Sequence, residues 1–149
     1  MNAKLGQARR HLMNDELLAK FMPLQQRLSL REQLEGEEGD FFVQKVLEIA
    51  DIIRGTPVTY GTEDVDTEDK VLRLHYFMGG VDAWIVERDV GDTPAENGEG
   101  EQIQAYGKCT LFGGGWREAE WGYISIQKLI ENGVELDLYW TPRTCKEMK

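Results

Sequence analysis

The sequence predicts an α+β fold. N-terminal helices over about residues 14–54 pack with a mainly antiparallel sheet of about five strands over about 70–140, and one short helix spans 126–132. Two observations carry this. Apolar residues recur every three to four positions as far as residue 53, then every second position from residue 70. Turn residues, above all glycine, then punctuate the second half at short intervals. The 149 residues are 41% hydrophobic and 9% aromatic, which supplies one core, so residues 1–149 are expected to form a single domain. Within it, residues 1–39 are expected to form a helical arm and 70–143 the sheet core.

In the first third, Asn14 or Asp15 can cap a helix whose Leu17, Leu18, Phe21, Leu24 and Leu28 share a face. Pro23 falls inside that run, removes a backbone donor and forces a kink or restart. Ser29 and Glu32 stand at capping-box spacing, which suits a restart there. Gly36 and Gly39, among acids, break the helix. Asp40 caps the next helix, in which Phe42, Val46, Ile49, Ala50 and Ile53 form one stripe, and Gly55 and Pro57 stop it. Residues 61–69 hold five acids and read as an exposed connection.

From residue 70, Leu72, Leu74 and Tyr76 alternate with Arg73, His75 and Phe77. Gly79-Gly80 turns the chain into a second strand containing Trp84 and Val86. Residues 90–101 read as a surface loop. A third strand covers Tyr106 to Phe112, Gly113-Gly114-Gly115 a turn, and a fourth strand Glu118 to Ile124. Ser125 caps the short helix and Gly133 stops it. Val134, Leu136, Leu138 and Trp140 form one face of a fifth strand, which Pro142 ends.

Charge excludes some functions and leaves others. Seventeen basic against 27 acidic residues give −10. Residues 1–31 carry six basic and two acidic side chains, net +4; residues 32–69 carry two and twelve, net −10; residues 70–149 carry nine and thirteen, net −4. Tight binding of duplex DNA is not expected, because phosphate contacts need clustered cations. A weak nucleic-acid contact through Arg9, Arg10, Lys20, Arg27 and Arg31 of the arm is the one such alternative. No apolar run is long enough to cross a membrane, and the N-terminus has no secretory apolar core, so a cytoplasmic location is expected. Cys109 and Cys145 lack metal-ligand spacing. The triple glycine lacks the Lys-Ser/Thr of a phosphate loop. Neither a metal nor a cofactor is expected.

Residues able to carry chemistry are few. Glu87, Glu118, Glu120 and Asp137 come from three different strands, Glu118 and Glu120 sharing one face of the same strand. If these converge, Glu87, Glu118 and Glu120 with His75 as base would form the catalytic set of a small metal-assisted enzyme. Solvated strand faces show the same acids. Ten aromatics crowd residues 76–140, a density typical of cores and interfaces. The apolar stripe Leu17, Phe21, Leu24 and Leu28 is the expected partner-binding surface, and a homodimer its expected use, because the other helices suffice to cover one sheet face.

The second half resembles a small family known as a domain of unknown function, carried by bacterial plasmids, integrative conjugative elements and phages. The resemblance lies in Trp84-Ile85-Val86-Glu87-Arg88-Asp89, in Tyr106-Gly107, in the run from Glu120 to Leu129, in the run from Glu135 to Pro142, and in Leu12-Met13-Asn14 at the entry to the first helix. Leu136 stands where that pattern commonly has Arg. The resemblance implies a non-enzymatic accessory or regulatory protein of a mobile element, acting through a host or mobile-element protein partner. It implies no reaction.

Overall fold

The computed structural model describes residues 3–89 and 104–148; the expected loop at 90–101 lies outside them. The architecture is α+β. Helices α1 (Ala3–Asn14), α2 (Glu16–Phe21), α3 (Leu24–Gln33) and α4 (Gly39–Gly55) precede the strands β1 (Val71–Leu72), β2 (Leu74–Met78), β3 (Val81–Arg88) and β4 (Gln104–Thr110). Then come α5 (Gly115–Glu118), β5 (Glu120–Ser125), α6 (Ile126–Glu131), β6 (Glu135–Leu136) and β7 (Arg143–Thr144). One antiparallel sheet runs in the order β5-β4-β3-β2-β6, and β1 pairs with β7 apart from it.

Local chemistry accounts for most boundaries. Asp15 caps α2, its Oδ1 accepting from the Leu18 amide at 3.1 Å. The chain restarts at Pro23, not at Ser29. Met22 is extended, as a residue before proline prefers, and Pro23 at φ −57° leads straight into α3, so Ser29 lies mid-helix and no capping box forms. In α4, Asp40 sits in the first turn while Glu38 is the capping position. Gly39 is required there: a Cβ would fall 2.3 Å from the Leu34 carbonyl oxygen. The α4 stripe buries Val43, Val46, Ile49, Ala50 and Ile53, with Phe42 half-buried beside it. Helix α1 starts at Ala3, earlier than expected, and buries only Ala8 and Leu12.

The arm folds back. Leu18, Phe21, Met22 and Leu30 join α4 and α6 over one sheet face made by Leu74, Tyr76, Ala83, Ile85, Ala105, Ile124 and Leu136. The phenol of Tyr76, fully buried, donates to the Phe21 carbonyl and ties arm to sheet. Burial pushes that phenol well above its ordinary ionisation range.

Four strand expectations are corrected. The first strand breaks at Arg73, whose amide bonds the Ile85 carbonyl at 2.7 Å, and the break turns Leu72 away from Leu74 and Tyr76 into a second cluster. The expected third and fourth strands are each displaced by two residues at their start, and a single helical turn, α5, follows the glycines. The expected fifth strand pairs only at Glu135 and Leu136. Asp137 ends it: its amide bonds the His75 carbonyl, its carboxylate accepts from the Tyr139 amide, and the chain turns away. Leu138 stays with the main core while Trp140 crosses to the second cluster.

Candidate functional site

Strand alternation builds the sheet's other face. Register sets His75, Trp84, Lys108 and Trp121 in one row across β2, β3, β4 and β5. After a bulge between Ile85 and Glu87, the next row is Glu87, Tyr106 and Tyr123. Gly107 lies between the rows because β3 and β4 approach closely; a Cβ there would stand 1.9 Å from the Trp84 carbonyl oxygen. The rings form a continuous chain of contacts. His75 stacks on Trp84 at 5.0 Å, Trp84 meets Trp116 edge-on at 5.3 Å, and Trp116 meets Trp121 at 6.1 Å. Trp121 then stacks on Tyr106 at 5.8 Å, and Tyr106 meets Tyr123 at 5.5 Å. Lys108 lies 4.0 Å over Trp116, a cation–π contact.

One half of this face is closed and the other open. Trp140 donates from Nε1 to the Leu72 carbonyl at 2.9 Å, and Cys145 and Met148 pack with it over Trp84 and Val86. At the β5 side, Tyr123 and Tyr60 are exposed and their hydroxyls meet at 3.2 Å, Tyr123 donating. That bond, then desolvation and the nearby charges of Tyr60 and Glu87, push the Tyr123 phenol above its ordinary range.

The expected catalytic set does not assemble. His75 is held between two carboxylates from other elements: Nδ1 lies 2.9 Å from Asp137 Oδ2, and Nε2 lies 2.8 Å from Asp82 Oδ1. Both ring nitrogens are thus engaged by carboxylate oxygens of the same fold. No nitrogen is left to act on a substrate. Glu87 is equally occupied. It accepts from the Tyr60 amide at 2.8 Å, from the Thr62 amide at 3.1 Å and from the Thr62 hydroxyl, while Lys70 Nζ reaches the Thr62 carbonyl at 2.5 Å. These bonds hold Tyr60 in its left-handed backbone conformation, φ 69°. Glu118 and Glu120 stand together elsewhere, at a groove along β5. Among the described residues no group of three or more His, Cys, Asp or Glu is placed to hold a metal ion.

That groove has a volume of about 840 Å³ and a mainly apolar lining. Every residue of β5 lines it, with Leu129 of α6, Val81, Leu111 and Phe112. Phe112 is 96% exposed. It is displayed by a defined turn: the Thr110 hydroxyl donates to the Gly113 carbonyl, the Gly113 amide bonds the Gly80 carbonyl at 2.8 Å, and Gly113, Gly114 and Gly115 all adopt positive φ. Sequence reading identified the turn but not the residue it presents.

The arm corrects the expected partner surface. Phe21 is wholly enclosed in this chain's own core and Leu17 is half-buried; only Leu24 and Leu28 are exposed. Three of the arm's cations are bonded within the chain. Arg9 pairs with Glu35, Arg27 donates to the Met22 carbonyl, and Arg31 to the Met13 sulfur.

Comparison with known protein families, with curated proteins and with solved structures finds no match. No helix among the described residues is long and apolar enough to cross a membrane.

Proposed function

We propose that this chain is a non-enzymatic binding module, an accessory or regulatory protein of a bacterial mobile element that acts by protein–protein interaction. One observation supports it above others. Exposed apolar and aromatic side chains line one groove, Phe112 at 96% and Leu111 and Tyr123 at 57%, and Tyr60, exposed at 67%, meets Tyr123 through its hydroxyl. Partner surfaces concentrate such residues, and an exposed cluster of them carries an unfavourable hydration free energy that burial against a partner removes. The mobile-element setting rests on the motif resemblance, and a cytoplasmic location is part of the same proposal. Homodimerisation belongs to the same proposal, reduced to Leu24 and Leu28 as the arm's exposed residues. The metal-assisted alternative is disfavoured by the engagement of His75 and Glu87 within the fold. The nucleic-acid alternative is disfavoured by the arm's internally bonded arginines.

The test is affinity capture from bacterial cells with the wild-type chain and with Phe112→Asp. The reading expects partners retained by the wild type and lost from the variant. Identical capture by both, or none by either, would overturn it.

A further inference from the structure

We propose that the free edge of β5 binds an extended peptide of a partner as an added strand, with apolar side chains at alternate positions and a Lys or Arg opposite Glu118 and Glu120. The proposal rests on the reading of the chain as a binding module and names the chemistry of what it binds.

The two ends of the sheet are treated differently. At β6, the side-chain amide of Gln26 takes both free groups of Leu136: Nε2 donates to its carbonyl at 2.7 Å and Oε1 accepts from its amide at 3.0 Å. That edge is closed. At β5, the backbone pairs with β4 on one side, and no described residue bonds the other. Exposed edges are ordinarily blunted by lysine, proline or short length. β5 has six residues, no proline, and a single charge, Glu120. It offers about 20 Å of open ladder.

The groove has the shape of a strand. Residues of both parities along β5 line it, so it follows the strand's edge and does not lie over one face. Gly122, at mid-strand, has open space where a Cβ would be. A strand laid there would present alternate side chains to Leu129 and Ile124 on one face and to Trp121 and Tyr123 on the other. Backbone bonds would supply affinity and these surfaces selectivity.

Charge selects the occupant. Glu118 and Glu120 are exposed at the groove and neither has an ion-pair partner among the described residues. A second copy would bring the same two acids against them, on a chain whose net charge is −10. A basic extended segment meets them with opposite sign.

The experiment selects nonapeptides from a random display library on the immobilised full chain, then measures synthetic versions by fluorescence polarisation. The expected peptides alternate apolar residues and carry Lys or Arg near one end. Methylating one alternating set of their backbone amides should weaken binding tenfold or more, and the other set little. Glu120→Lys should weaken it at least tenfold, while Tyr139→Ala, exposed and outside the groove, should leave it unchanged. Failure to select any saturable binder overturns the proposal, as do acidic binders and binders indifferent to both methylated sets. A dimer in light scattering that Glu120→Lys disrupts and the peptides do not would also overturn it, by assigning the edge to a second copy. If affinity capture still depends on Phe112 while no peptide binds, strand addition falls and the module reading stands. If both experiments are negative, both fall.

Discussion

The two faces of the central sheet use the same strands for opposite ends. On the helix-covered face, Leu74, Tyr76, Ala83, Ile85 and Leu136 meet α2, α4 and α6 in one buried cluster, and the polar atom of Tyr76 is spent on the arm's backbone. On the other face the contacts are between rings and between charges, and the ring contacts end at Trp121 and Tyr123 of β5. The inner face shows what holds the fold. The outer face, with β5 and the Phe112 turn, shows apolar area left at the surface.

The largest expected effect breaks the inner face. Phe21→Ala should destabilise by about 3–5 kcal/mol, through lost burial and a cavity, read as a lower urea midpoint. Survival of the wild-type midpoint would mean that the arm is not part of the core. Gly107→Ala separates β3 from β4 and should cost about 1–3 kcal/mol as overpacking. Next is the closed half of the outer face. His75→Phe keeps the stacking but leaves Asp82 and Asp137 without the ring nitrogens they face, and should cost about 1.5–3 kcal/mol. Asn at either acid should cost less, because one bond survives.

Small effects sharpen the comparison. Phe112→Asp should change stability by under about 0.5 kcal/mol while abolishing partner capture. Asp15 tests the arm's acid sensitivity. Burial raises its carboxyl, but the His11 bond, the Leu18 amide and the charges of His11 and Arg54 outweigh this and hold it below its ordinary value of 3.8. A carboxyl depressed in the folded state stabilises above its unfolded value, and that contribution is lost as pH falls through the folded one. Asp15→Ala should therefore remove about 1 kcal/mol of capping at neutral pH and less below the folded value, seen by comparing urea midpoints of both proteins across the acid range.

Much of the fold was legible because it depends on local pattern. The change of period near residue 70, the α4 stripe and the Ser125 cap on α6, whose hydroxyl accepts from the Lys128 amide, follow from neighbours within a turn or two. What escaped depends on distant partners. Trp140 continues the alternation of Leu138, yet the turn at Asp137 sends it to the opposite cluster. Asp137 is 62 residues from the histidine it faces. Asp82 was within reach: a two-residue turn at Gly79-Gly80 pairs His75 with Trp84 and Phe77 with Asp82, which sets His75 diagonal to Asp82. The open β5 edge had no local sign at all, since an edge is defined by the strand that is missing.

The central claim is that β5 and its groove are the working surface while the helix-covered face is structural. Backbone amide hydrogen exchange on the full chain, with and without a selected peptide, tests it most directly. Slowed exchange concentrated in Glu120–Ser125 and the Phe112 turn, with α1 to α4 unchanged, is the predicted result. Slowing confined to the helices, or none in β5 at saturating peptide, would contradict it.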